Sequence, residues 1–251
     1  MITISLIASG KLSYNLSKVF SNNENFRIIE IYSRKKKNTN LFNEQIKFTD
    51  KIENLKKADF YFILCNDDSI KEISKKINVN GGMVLHSSGT ININILSNHK
   101  NYGVFYPLQT FNFHNKLNFT DVPVLIEANT KKNLDKLKKL CELLNTTCKV
   151  IDSKDRLYYH LAATFANNFT NHLLSITDEI INKFNLNKDF FIPISNQTIQ
   201  KFKENKSKES QTGPAIRNDV KTIKKHERIL ENSKYLNLYK IITESIKKND
   251  L

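Results

Sequence analysis

The sequence predicts an α/β protein: a doubly wound sheet over residues 1–151, followed by an all-helical domain over 152–251. Three observations predict it. Short apolar runs alternate with amphipathic helical patterns from Ile2 to Ile151, the rhythm of strands joined by crossover helices. From Asp152 neither Gly nor Pro occurs until Pro193, a stretch too long for a strand. The first 34 residues join a strand to a helix through Ala8-Ser9-Gly10 and close the next strand with Ser33-Arg34.

Each element has its own signal. Ile2 to Ile7 is an apolar strand, and Leu12, Leu16, Val19 and Phe20 mark the buried side of a helix. Phe26 to Tyr32 is the second strand. Residues 35–45 are polar enough for a loop with a short helix, and Ile52 to Lys57 is a short connection. Asp59 to Cys65 is almost continuously apolar, as for a central strand covered on both faces. Asn66-Asp67-Asp68-Ser69 then caps a helix running to Lys76. Gly81-Gly82 turns the chain into the strand Met83 to Leu85, and Thr90 to Ser97 reads as helix. Gly103 to Tyr106 and Val122 to Glu127 are strands. Leu134, Leu137, Leu140, Cys141 and Leu144 give an amphipathic helix over 131–144, and Cys148 to Ile151 is the last strand. Beyond the long helix, further helices are expected near 192–202, with Pro193 in the first turn, and near 218–231 and 236–247. Lys203 to Gln211 is expected to be a mobile charged linker.

A strand turning sharply into a helix leaves the first helical N–H groups unpaired, and with the helix dipole they suit a pyrophosphate. This is the nucleotide-binding end of a Rossmann-type domain. The usual G-x-G-x-x-G/A is here Ala8-x-Gly10-x-x-Ser13. Gly10 keeps the point of closest backbone approach, and Ser13 is small enough for the helix to pack on the strand. Ala8 is expected at negative φ, since positive φ is glycine's territory. An acidic residue at the end of the second strand would bind a free ribose 2′-hydroxyl. Ser33 and Arg34 instead suit a 2′-phosphate, which favours NADP over NAD. An ordinary strand–helix turn with no ligand would share the loop pattern, so its weight comes from context.

The bulk numbers narrow the class. A chain of 251 residues with 39% hydrophobic and 10% aromatic residues can bury a substantial core. No apolar run has the length of a membrane span, and the N-terminus has no signal-peptide pattern, so a cytoplasmic protein is expected. Cys65, Cys141 and Cys148 form no C-x-x-C pair and read as reduced thiols. The net charge of +14 is scattered and reflects a Lys-, Asn- and Ile-rich composition, so no specific nucleic-acid partner is expected. No His, Cys and carboxylate grouping has metal-site spacing.

Three constellations can carry chemistry. On the long helix His160, Thr164, Asn167 and Asn171 share one face, with Asn168 beside it. A reductase needs a proton donor where charge develops and neutral groups that orient substrate. His160 suits the first role; Asn168 and Asn171 suit the second. Amides on a helix are as often simply solvated. Secondly, Thr212-Gly213-Pro214-Ala215-Ile216-Arg217-Asn218-Asp219 makes a turn and a helix cap, and Arg217 can clamp a carboxylate or phosphate. A surface Arg–Asp pair is the plainer alternative. Thirdly, Cys65-Asn66-Asp67, His86-Ser87-Ser88-Gly89 and Pro107-Leu108-Gln109-Thr110 end strands where open α/β sheets bind ligands. His86 alone would be a strand-end histidine satisfied by backbone.

Taken in order, Gly10, His86-Ser87-Ser88-Gly89, Tyr106-Pro107-Leu108-Gln109-Thr110-Phe111, His160-Leu161-Ala162-Ala163, Asn167-Asn168-Phe169 and the 212–219 segment resemble a known family across nearly the whole chain. These are bacterial Rossmann-like proteins, labelled NADP oxidoreductases, whose C-terminal helical domain is of unknown function. In architecture they are similar to 6-phosphogluconate dehydrogenase, 3-hydroxyisobutyrate dehydrogenase and pyrroline-5-carboxylate reductase. The resemblance implies that Gly10, with Ala8, Ser9, Lys11 and Leu12 around it, holds the pyrophosphate, and that Ser33 and Arg34 hold the 2′-phosphate. It places Ser88 and Gly89 near the nicotinamide; Cys65 and Asn66, at the end of another strand, are expected to bind cofactor on the strand-end argument. It sets His160 and Asn168 where the dehydrogenases carry a catalytic lysine and asparagine; the lysine is absent here. It implies a homodimer formed through the helical domain.

The expected function is NADP(H)-dependent hydride transfer to or from a C=O or C=N carbon of a small, polar, anionic substrate. His160 would be acid and base, Asn168 and Asn171 orienters, Arg217 the anion clamp. A non-enzymatic dinucleotide sensor is the alternative that the altered loop and the missing lysine favour. A nucleic-acid-binding protein is a third reading, whose mark would be tight selective binding at physiological salt.

Overall fold

The computed structural model describes residues 1–34, 39–79, 81–114, 118–204 and 206–248. The chain divides into two compact units, Met1–Leu173 and Leu174–Leu251.

The first unit begins with strand β1 (Ile2–Ile7), helix α1 (Lys11–Ser21) and strand β2 (Phe26–Tyr32). Then come β3 (Phe48–Thr49), β4 (Phe60–Ile63), α2 (Asp67–Lys76) and β5 (Met83–His86). They are followed by β6 (Tyr102–Pro107), β7 (Val124–Ala128), α3 (Lys131–Leu143) and β8 (Cys148–Val150). The eight strands form one sheet in the order β3-β2-β1-β4-β5-β6-β7-β8. All pairings are parallel except β6 with β7. A parallel return needs a crossover of a dozen or more residues, normally helical. Between β6 and β7 the described residues form only a 3-10 turn, Phe119–Asp121, so the strand comes back antiparallel.

Side-chain alternation explains the two-sided core. On β4, Phe60 and Phe62 join the cluster of Ile4, Leu6, Leu16, Phe20, Phe105, Leu137 and Leu140, under α1 and α3. Tyr61 and Ile63 point the other way, to Ile7, Ile70, Ile77, Val84 and Leu96 on the α2 side. A strand buried on both faces must be apolar throughout, which accounts for the unbroken run Phe60–Ile63. The sheet reverses its direction of growth between β1 and β4. A crevice opens at such a switch point, outside the strands' carboxyl ends.

One expected element differs. Residues 90–97 hold only a 3-10 turn, Ile93–Leu96, capped by the Asn92 side chain, which accepts from Asn94 N–H. Four residues of the expected polar stretch 35–45 lie outside the described residues; Thr39–Leu41 is a 3-10 turn. The expected linker 203–211 includes residue 205, also outside them.

The long helix is interrupted. Helix α4 (Ser153–Ala163) passes into a π-helical segment, Thr164–Phe169, and continues as α5 (Thr170–Lys183). The composition changes at 152, yet α4 belongs compactly with the sheet. The reason is Arg156, whose side chain is fully buried and tied to the strand-end loops. By itself the second unit comprises the rest of α5 with α6 (Ile192–Lys203), α7 (Val220–Ile229) and α8 (Leu236–Lys248). A Tyr239–His226 hydrogen bond of 2.9 Å joins α8 to α7. Among the described residues no helix is long and apolar enough to cross a membrane.

Candidate functional site

The turn after β1 leads into a helix start that no side chain caps. Gly10 is the N-cap of α1, so the amides of Lys11 and Leu12 at the helix start keep their outward direction. A Cβ built on Gly10 would meet nothing within 4 Å, which leaves the backbone open to close approach. Ala8 does not follow expectation. Its φ is +122°, the glycine-type conformation that the first position of the loop requires. The Ala8 N–H donates to the Tyr32 carbonyl at 3.0 Å, which holds the chain against β2 while it swings to Gly10. Such a torsion costs a side chain on the order of 1–3 kcal/mol, so the loop keeps its shape despite the missing glycine.

Ser9 and Ser33 are hydrogen-bonded through their hydroxyls at 2.8 Å, which links this turn to the end of β2. A cavity of about 390 Å³ opens between them. Ala8, Ser9, Gly10, Ser33, Arg34, Cys65 and Asn66 all line it, so seven of the residues singled out by sequence come together at the β1–β4 switch point. Burial pushes the Cys65 thiol up to about 11, which keeps it protonated and unreactive at neutral pH.

A second cluster lies at the ends of β5 and β6. His160 on α4 accepts or donates a 2.9 Å bond between its Nδ1 and the Tyr106 hydroxyl. It packs so closely on Gly89 that a Cβ there would lie 2.6 Å from Nδ1; only glycine fits. Burial raises the pKa of Tyr106, so the phenol stays protonated. The π-helical segment follows directly. One widened turn in a long helix re-aims side chains and is frequent at functional sites. Here it carries Asn167, whose amide donates to the Thr110 hydroxyl beyond β6. Asn168 and Asn171 are exposed on the same stretch. His86 is wholly buried, accepts from the Ser88 N–H at 3.2 Å, and is held neutral by burial and the Arg156 charge, its pKa lowered to about 3. The backbone satisfies its Nδ1, as expected of a strand-end histidine, but the buried Nε2 has no hydrogen-bond partner among the described residues.

Arg156 organises this region and was invisible to sequence reasoning. Its Nε donates to the Ser88 carbonyl at 3.1 Å. Its terminal nitrogens donate to Glu127 on β7, to the Ile91 carbonyl and, at 3.2 Å, to the Ser153 hydroxyl. Ser153 in turn donates to Glu127 at 2.8 Å. The loop after β5 is thus clamped to the start of α4, which fixes Gly89 beneath His160. Tyr106, Thr110 and Asn167 complete the cluster. Strand-end position was the signal for the first two; helical spacing put Asn167 on the His160 face.

Arg217 lies in the second unit, exposed in the turn before α7. Gly213 there has φ +109° and Asn218 φ +51°. Asp219 is the cap, accepting from the Thr222 N–H at 3.1 Å and hydroxyl at 2.7 Å.

Comparison with known proteins agrees with this architecture. A family model described as a domain of unknown function (DUF2520) matches residues 122–246. The structure of a "putative NADP oxidoreductase" from Bacteroides fragilis superposes with a TM-score of 0.89 at 31% identity, over 98% of both chains. Protein TM1727 from Thermotoga maritima gives 0.68 at 20% identity, over 98% of this chain and 97% of that one. A Plasmodium falciparum pyrroline carboxylate reductase with NADP bound gives 0.64 at 13% identity, over 100% and 98%; that likeness is one of fold. No curated protein matches the sequence. At that identity and coverage with the Bacteroides protein, the chain belongs to the same family of Rossmann-fold proteins, whose C-terminal part is the DUF2520 domain.

Proposed function

We propose that the protein is an NADP(H)-dependent oxidoreductase acting on a C=O or C=N carbon of a small, polar, anionic substrate. The observation that carries this reading is the pairing of two sites in one unit. An uncapped helix start and Arg34 line one cavity, and a histidine–tyrosine pair stands over the next strand ends. The B. fragilis family member is itself described as an NADP oxidoreductase of putative standing.

The residues present fit the cofactor. The amides of Lys11 and Leu12, above the open face of Gly10, hold the diphosphate; Arg34 and Ser33 hold the 2′-phosphate; Asn66 and Cys65 flank the way toward Ser88 and Gly89. When bound, the nicotinamide supplies or takes up the hydride. In the reducing direction His160 acts as the imidazolium, its Nδ1–H donating to the Tyr106 oxygen. Its Nε2–H is then the acid for the substrate oxygen or nitrogen that gains charge, and the neutral ring left behind is the base in the reverse direction. Asn168 and Asn171 orient the substrate with neutral hydrogen bonds.

NADPH should bind about 10- to 100-fold more tightly than NADH, the worth of one or two charge-assisted hydrogen bonds to phosphate. Fluorescence titration measures both. Equal affinities, or no binding of either, would overturn the cofactor assignment.

The assembly we propose is a homodimer through the helical region. Leu157, Leu161, Phe165, Phe169 and Leu173 are all 42–62% exposed and recur every four residues across the π-helical segment. A stripe of large apolar side chains of this length marks an interface. Sedimentation should give a dimer, and Phe165→Glu should shift it to monomer; a monomeric wild type would rule the stripe out as a self-interface.

A further inference from the structure

We infer that Lys76 is a second ligand for the 2′-phosphate, opposite Arg34, and that Glu72 is the counter-ion which the phosphate displaces. The inference rests on the NADP reading above and deepens it.

Ser69, Glu72, Ile73 and Lys76 all line the cavity that holds Gly10, Ser33 and Arg34. Their spacing of three, one and three residues puts them on a single face of α2. That face therefore forms a wall of the cavity rather than an ordinary outer surface. Lys76 Nζ lies 2.6 Å from Glu72 Oε1. Arg34 also acts on Glu72, drawing its carboxyl down after Lys76 does. Tyr32, the last residue of β2, lines the same cavity. One carboxylate thus feels two cations that line the same cavity, beside the strand end where a 2′-phosphate would lie.

A phosphate dianion offers these cations more charge and more acceptor oxygens than the carboxylate does. The Lys76–Glu72 pair is more than half exposed on both sides, and such helical pairs contribute little to stability, so it is easily exchanged. A lysine, as a flexible point charge on a long stem, can turn from one anion to another without moving backbone. With the phosphate in place, Glu72 becomes a nearby like charge that weakens binding, and its removal should help.

The probes are 2′,5′-ADP and 5′-ADP, compared by calorimetry on the full chain, alongside NADPH and NADH fluorescence titrations. Lys76→Gln should weaken 2′,5′-ADP and NADPH by about tenfold, the scale of one charge-assisted bond, and leave 5′-ADP and NADH unchanged. Glu72→Gln should tighten 2′,5′-ADP and NADPH several-fold and leave the other two unchanged. If the wild type prefers the 2′-phosphorylated ligands but neither variant alters that preference, Lys76 and Glu72 are a solvated surface pair and the inference fails, with the cofactor assignment intact. If the wild type shows no preference, the cofactor assignment falls first. Both side chains are exposed, so folding is expected to be untouched; unchanged melting temperatures check it.

Discussion

Replacing His160 by Gln should lower kcat by about 10²- to 10⁴-fold, the usual range for losing a general acid, without altering the Kd for NADPH. The substrate to use is whichever keto acid or cyclic imine supports NADPH oxidation in a panel. His160 stands over Gly89 and is held by Tyr106, away from the cavity that takes the adenosine half, so binding and turnover should separate. Tyr106→Phe removes the group that orients the ring and should cost less than the histidine itself, with the pH profile of kcat displaced. Glutamine fills similar space and still forms hydrogen bonds, so a loss cannot be ascribed to collapse of the loop. Unchanged turnover in His160→Gln would take the acid–base role away. Cofactor-stabilised melting with no turnover on any panel member would instead favour a dinucleotide sensor, the reading encouraged by the absent lysine.

Arg156→Met should destabilise the first unit by about 3–5 kcal/mol, because it strands the partly buried Glu127 carboxylate and two carbonyls, those of Ser88 and Ile91. For a chain of this size that is a fall in melting temperature of about 10 °C. Arg156 is wholly buried and its ion-pair partner Glu127 is only 16% exposed at the side chain. Arg156→Met combined with Glu127→Leu should recover part of the loss, since removing both members of a buried pair is far less costly than removing one. Thermal denaturation followed by circular dichroism reads all three proteins. A single variant that melts within about 2 °C of wild type would show that the clamp contributes little to folding.

Much of the first unit was legible because its strands and helices obey simple periods. The run 59–65 could only be a doubly covered strand, and the spacing of Leu137, Leu140 and Cys141 could only be one helix face. The antiparallel turn of β7 was missed, although the missing helix between Pro107 and Val124 was its signal. Arg156 was not legible: an arginine directly after Lys154 and Asp155 reads as surface, and only the fold reveals Glu127, Ser88 and Ile91 around it. The π-helical segment was equally hidden, since Thr164–Phe169 contains neither Gly nor Pro to announce a change of pitch. Lys76 was read as part of a helix ending, and its place on the cavity wall depends on the crossing of α2 over the sheet. Ala8 was misjudged because local preference was set above the demands of the turn; the pairing of its N–H with Tyr32 decides its torsion.

That torsion has a consequence for how a dinucleotide is received. An alanine held at φ +122° would relax to another shape in a free peptide, so the curvature exists only because the sheet imposes it. The expense is met once, when the chain folds, and not again at each encounter with a ligand. The cradle therefore behaves as a rigid mould instead of a flexible glycine hinge, and it should admit its guest without reshaping.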